Sequence, residues 1–190
     1  MARVRVVLIL LLLTTGCVGR VASPSSAPPA LRGSIVVAQS GRFSVWMPED
    51  PELFGEAEEV SIGGTDVTCY QYFARTSGVY WLARYCNLPV GVAGPSTQPH
   101  VIDAAQTFLL QEAQGRITAV EEVLVEAVPA RRIFADSALR AGEFDGEYRA
   151  LIVVQSDRLY LISTYGHNAA EPADLDTMER FLSSFRFLPE

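Results

Sequence analysis

Residues 148–164, YRALIVVQSDRLYLIST, restrict the fold more than any other stretch of this 190-residue chain. Two apolar runs, 147–155 and 158–164, flank Ser156-Asp157, a two-residue step of the kind that closes a β-hairpin. Both arms are apolar almost throughout instead of at alternate positions. Strands of that composition need cover on both faces, so the arms are predicted to lie centrally in a sheet sandwiched between other elements.

The remaining chain supplies neighbours for that hairpin. Residues 43–48, FSVWMP, alternate as a strand and stop at Pro48, and the acidic stretch 49–59 is expected as a loop running into the next strand. Gly63-Gly64 reads as a turn between strands at 58–62 and 65–73. Two β-like runs, 65–75 and 79–87, meet at Thr76-Ser77-Gly78, and each holds one cysteine. A Ser77-Gly78 loop pairs Thr76 with Val79 and sets Cys69 opposite Cys86, at the spacing of roughly 4.5–5.5 Å that a disulfide can bridge. A loop centred on Thr76-Ser77 opposes Cys69 to Arg84 instead, and the two cysteines are then small buried thiols. Residues 117–125 and 129–135 suggest a further strand pair, and 136–146 a polar surface loop.

Two stretches carry helical spacing. Within 101–114, Ile102, Ala105, Phe108, Leu109 and Ala113 fall on one face and Gly115 ends the run. Near the C-terminus, Asp174 or Asp176 caps a helix whose Leu175, Met178, Leu182 and Phe185 share a face, before 186–188 exits. Residues 88–100, with three prolines and two glycines, form a long connection without a periodic pattern. About seven hairpin-linked strands and two helices imply an α+β fold, an antiparallel β-sheet covered by helices.

Five groups of residues then carry a family likeness: Phe43-Ser44-Val45 with Met47-Pro48, residues 80–85, Pro129-Ala130-Arg131, the hairpin 148–161 around Asp157-Arg158-Leu159-Tyr160, and Phe181-Leu182-Ser183-Ser184-Phe185. Together they resemble the PsbP-like α/β/α sandwich domains, across residues 41–188. The resemblance implies a single non-enzymatic domain. In cyanobacteria such domains occur as thylakoid-lumen lipoproteins that help photosystem II keep its ions or assemble, so it also implies a photosystem II accessory role if the host is an oxygenic phototroph. It transfers no binding residue, because the shared positions are structural punctuation.

The N-terminus gives an address. In MARVRVVLILLLLTTGC, Arg3 and Arg5 precede an apolar run at 6–13, and Thr15-Gly16 precede Cys17. The run is too short to span a bilayer, and small residues before the cysteine admit a signal peptidase. Residues 1–16 are read as a lipoprotein signal peptide and Cys17 as the acylated first residue of the mature chain, with plain secretion and a free Cys17 as the competing reading. Acyl chains on Cys17 hold the protein to the lipid bilayer of the cell membrane, on its extracytoplasmic face. Residues 17–34 are rich in Pro, Ser and Ala and read as a tether, leaving 35–190 as one globular domain. That compartment lets a disulfide between Cys69 and Cys86 persist.

Charge and residue choice narrow the chemistry. Removing residues 1–16 leaves 13 basic against 22 acidic residues, a formal charge of −9, which repels nucleic acid. The chain has no lysine, which removes Schiff-base chemistry. His100 with Asp103, and His167 with Asp174 or Asp176, offer scattered metal ligands, but two histidines in the whole chain and no cluster assign neither a metal nor a cofactor. Glu56, Glu58 and Glu59, and Glu121, Glu122 and Glu126, read as solvated faces before they read as acid–base pairs. No G-x-S-x-G occurs. Trp46, Trp81 and Tyr70, Tyr72, Tyr80, Tyr85, Tyr148 and Tyr160 lie on strand-like runs and are expected in the core. Arg131 and Arg132, adjacent on a strand, must face opposite ways, one of them into a surface ion pair. No catalytic residue is assigned. The sequence points to a non-catalytic binding or assembly module for a membrane-associated protein partner, with a small-ligand binder or enzyme using a cleft near 88–100 as the alternative.

Overall fold

Ten strands and two helices follow one another in the computed structural model, which describes residues 33–48, 52–76, 79–137, 146–167 and 172–189. All of them fall in the unit Leu31–Glu190. In chain order they are β1 (Gly33–Ala38), β2 (Phe43–Pro48), β3 (Glu52–Ile62), β4 (Thr65–Thr76), β5 (Val79–Asn87), α1 (Gln98–Glu112), β6 (Arg116–Val125), β7 (Val128–Ser137), β8 (Gly146–Gln155), β9 (Arg158–His167), α2 (Pro172–Ser183) and β10 (Arg186–Phe187). Seven strands form one antiparallel sheet in the order β3-β4-β5-β9-β8-β7-β6, and a second sheet has the order β1-β2-β10. The architecture is α+β.

The apolar hairpin lies where its composition requires. β8 and β9 are inner strands, flanked by β7 and β5, and residues 150–154 and 159–165 are buried. Because side chains alternate, the two faces separate cleanly. Ala83, Tyr85, Leu151, Val153, Tyr160 and Ile162 face a core completed by Phe43, Val45 and Met47 of β2 and by Met178, Phe181 and Leu182 of α2. Cys86, Ile133, Ala150, Ile152, Leu159 and Leu161 face the other, completed by Val101, Ile102, Ala105 and Leu109 of α1. The helical stripe is seated as its spacing demands, with Phe108 only partly buried at its edge.

The β4–β5 ladder pairs Thr76 with Val79 and Cys69 with Cys86. The two sulfurs stand at disulfide distance, with 4.0 Å between the Cα atoms. Gly63 and Gly64 turn the β3–β4 hairpin with φ of 61° and 80°, angles that a side chain would strain. A Cβ on Gly63 would also stand 2.7 Å from the Cβ of Ala104 on α1.

Several expectations are corrected. The acidic stretch 49–59 is not a loop throughout, because β3 begins at Glu52 and pairs with β4 from Phe73 downward, with a register shift between Phe54 and Glu58. An irregularity of that kind breaks the alternation by which a strand is read. The strand at 43–48 does not join the large sheet; it is the centre of the small one. Residues 186–188 do not simply exit, since Arg186 and Phe187 pair with Ser44 and Phe43. β1 starts at Gly33, inside the stretch expected as tether. α1 starts at Gln98, where Pro99 in the first turn needs no intrahelical donor. α2 starts at Pro172, so Asp174 and Asp176 lie within the helix and do not cap it. Residues 1–32, which include Cys17, lie outside the described residues.

Candidate functional site

α1 lies on one face of the large sheet. At its start the Gln98 side chain donates to the Val154 carbonyl, and midway along it Ala104 lies against the β3–β4 turn. At its end, Ser137 of β7 donates to the Ala113 carbonyl. A single helix on a seven-stranded sheet leaves part of the face bare. The uncovered part beside the end of α1 is a cleft of about 230 Å³, bounded by β4, β5, β9, β8 and β7.

The register dictates what lines it. On the α1 face Phe73 pairs with Leu82, Leu82 with Ser163 and Ser163 with Ala150. One step along, Arg75 pairs with Tyr80, Tyr80 with Tyr165 and Tyr165 with Tyr148. The walls are therefore aromatic: the Phe73 and Tyr80 centroids are 6.0 Å apart and those of Tyr80 and Tyr165 6.1 Å, with the rings tilted by 38° and 35°. Such tilted contacts suit ring quadrupoles.

Polar groups gather at the cleft's inner edge. Arg84 is 4% exposed and fully engaged. Its Nη1 donates to both Glu112 oxygens at 3.1 and 3.0 Å, and its Nη2 to Glu112 Oε1 at 3.1 Å. Nε and Nη2 donate to Gln71 Oε1 at 3.3 and 3.1 Å, and Glu58 Oε2 lies 3.8 Å from Nη2. The guanidinium also lies over the Phe108 ring, 5.4 Å from its centroid. This set of acceptors holds a buried charge that would otherwise be costly.

Tyr148, 6% exposed, stands beside that pair. Burial pushes its phenol far above the ordinary tyrosine range; the Glu112 carboxylate adds to the effect, while a hydrogen bond from Ser163 and the Arg84 charge oppose it. The phenol stays protonated and serves as a hydrogen-bond group. Neither Arg84 nor Glu112 stood out in the sequence. The available signal was parity, because Arg84 alternates with Leu82 and Cys86 and so must point at the helix-covered face.

The residues singled out from the sequence lie elsewhere. Asp103 of α1 accepts from Arg131 Nη1 at 2.6 Å, and Glu122 accepts from Arg131 Nε at 2.7 Å. Burial opposes the Arg131 charge, yet these two carboxylates hold its pKa above the ordinary arginine value. Arg132 points the opposite way and donates to Glu179 of α2 at 2.7 Å, so both arginines are paired, not one. Glu126 lies 3.9 Å from Arg186. His100 is exposed on the first turn of α1, and the side chain of His167 lies outside the described residues. Among the described residues no three His, Cys, Asp or Glu side chains gather as a metal site. Trp46, Trp81, Tyr85, Tyr148 and Tyr160 are buried as expected, whereas Tyr70, Tyr72 and Tyr80 are only partly buried.

The connection at 88–100 does border a cleft, of about 330 Å³, lined by Ile62, Val67, Leu88, Val92, Val101 and His100 among others. Apart from His100 and two threonines its lining is aliphatic or glycine. The buried arginine and the tyrosine with the strongly raised pKa both belong to the other end of α1.

No family profile matches the chain, and no curated protein matches it. Among solved structures, a Pseudomonas aeruginosa protein of unknown function is similar at a TM-score of 0.38 and 11% identity, over 77% of this chain and 88% of that one. A likeness of that size carries no argument about role.

Proposed function

We propose that this chain is a lipid-anchored extracytoplasmic binding or assembly module, non-catalytic, with Cys17 as its acylated residue and a membrane-associated protein as its partner. The proposal assigns the domain to the PsbP-like sandwiches. An antiparallel sheet with helices on both faces is compatible with that assignment. The apposed Cys69 and Cys86 suit an oxidising compartment. The observation that carries the reading is the state of the cleft's polar groups. Arg84 is held by Glu112 and Gln71, and burial favours the protonated Tyr148 phenol, which supports a cleft that holds a guest over one that exchanges protons with it.

The test uses a photoreactive residue in place of Tyr80, on the cleft wall, in the full chain in native membranes. A discrete protein adduct is expected, and it should disappear when Leu82→Arg fills the cleft. An adduct indifferent to Leu82→Arg rejects the cleft as the working surface. In parallel, Cys17→Ser should release the protein from the membrane fraction and change the mass of the processed N-terminus. Retention with unchanged mass rejects the anchor.

A further inference from the structure

The cleft beside the end of α1 also has a definite chemical selectivity. We propose that it takes an uncharged, single-ring group that carries one hydrogen-bond acceptor, for which an aryl ketone is the simplest probe. This rests on the cleft being the binding surface proposed above, and it specifies what the surface prefers.

Size comes first. Drug-sized ligands use pockets of about 300–1,000 Å³, while an aliphatic cavity of about 150 Å³ already holds benzene. At about 230 Å³ this cleft fits one substituted ring. Shape is the second constraint. Phe73, Tyr80 and Tyr165 form a tilted aromatic wall, with Leu82 beside it, and a flat ring can pack on that wall edge-on or offset.

Charge is the third. The cation lining the cleft, Arg84, is matched by Glu112 and Glu58 and has its nitrogens bonded. Arg75, at the rim, is exposed and sits over the Tyr80 ring, 5.0 Å from its centroid. An anionic guest would stand against Glu112 and lose its hydration, while the guanidinium inside the cleft, Arg84, is already matched by carboxylates. A cationic guest would stand against Arg84, so the cleft favours a neutral guest over either.

The last constraint is the spare donor. Ser137 spends its hydroxyl hydrogen on the Ala113 carbonyl. Tyr148 and Ser163 both line the cleft, and were their two hydroxyls to share one bond, one O–H would still be unspent. Since burial keeps the phenol protonated, that donor is present across the physiological pH range. A carbonyl on the guest accepts it.

The experiment is an NMR titration of the ¹⁵N-labelled full chain in lipid nanodiscs, with empty nanodiscs correcting for probe partition. Acetophenone is the probe, ethylbenzene the control without an acceptor, and benzoate the charged control. Acetophenone should give saturable shifts at the amides of Leu82, Ser163 and Tyr165, and benzoate should bind at least about ten-fold more weakly. Tyr148→Phe should weaken acetophenone about three- to ten-fold while leaving ethylbenzene within about two-fold. If Tyr148→Phe does not fold, Ser163→Ala serves the same comparison. Equal binding of benzoate and acetophenone overturns the proposal. So do equal losses for both neutral probes in the variant, shifts centred on Val92 and Val101, or the absence of saturable binding. None of these outcomes alters the cross-linking result, so the selectivity and the partner reading fail separately.

Discussion

On the α2 side of the large sheet, aromatic rings interlock: Trp81 with Phe181 at 5.4 Å, Phe43 with Tyr160 at 5.8 Å, and Tyr160 with Phe185 at 5.3 Å. On the α1 side a single helix covers the same strands, and the ring wall of Phe73, Tyr80 and Tyr165 faces a cleft. The difference lies in the covering layer. α2 and the β1-β2-β10 sheet together fill the first face, whereas one helix on the second leaves part of it uncovered. The comparison teaches that the site is a consequence of incomplete cover. The polar residues found there, Arg84, Tyr148 and Ser163, are those whose strand parity points to the incompletely covered side.

Stability measurements test whether the two faces differ in packing. Phe181→Ala removes a fully buried ring from the closed face and should cost about 3–5 kcal/mol in chemical denaturation, through lost transfer energy and an uncollapsed cavity. Phe108→Ala, on the open side and only partly buried, should cost no more than about 1.5 kcal/mol. Equal costs would mean that the two faces are packed alike. Replacing Cys69 and Cys86 together by Ala tests the staple on the α1 side. A cross-link closing 17 residues restrains the unfolded chain by about 3 kcal/mol in the loop-entropy description. A loss below about 1 kcal/mol would show that packing alone secures the β4–β5 edge.

Tyr148 has its folded-state pKa raised above the unfolded value of 10.0, so the unfolded chain releases this proton first as pH rises. Its contribution is fully present below about pH 10 and is lost above it, at about 1.4 kcal/mol per pH unit. Denaturation between pH 9 and 11.5 should show this slope, and Tyr148→Phe should flatten it by one proton. An unchanged slope would mean that the phenol ionises in place and the cleft is wetter than its walls imply.

Local pattern carried much of the fold. The alternation and turn residues at 65–87 limited the hairpin to two registers, and the ladder that pairs Thr76 with Val79 is the one that opposes Cys69 and Cys86. The continuous apolar content of 148–164 required an inner position, since neither face of such strands tolerates water. The parity of Arg131 and Arg132 required opposite faces. Tertiary structure decided what local pattern cannot encode. A strand of irregular register such as β3 and a two-residue strand such as β10 exist only because partners hold them, and their own residues carry no periodic signal. The cleft belongs to the same class. It depends on how α1 is seated on the sheet, where Ala104 meets the β3–β4 turn and Gln98 and Ala113 meet β8 and β7, and no periodicity within one segment records how two segments pack.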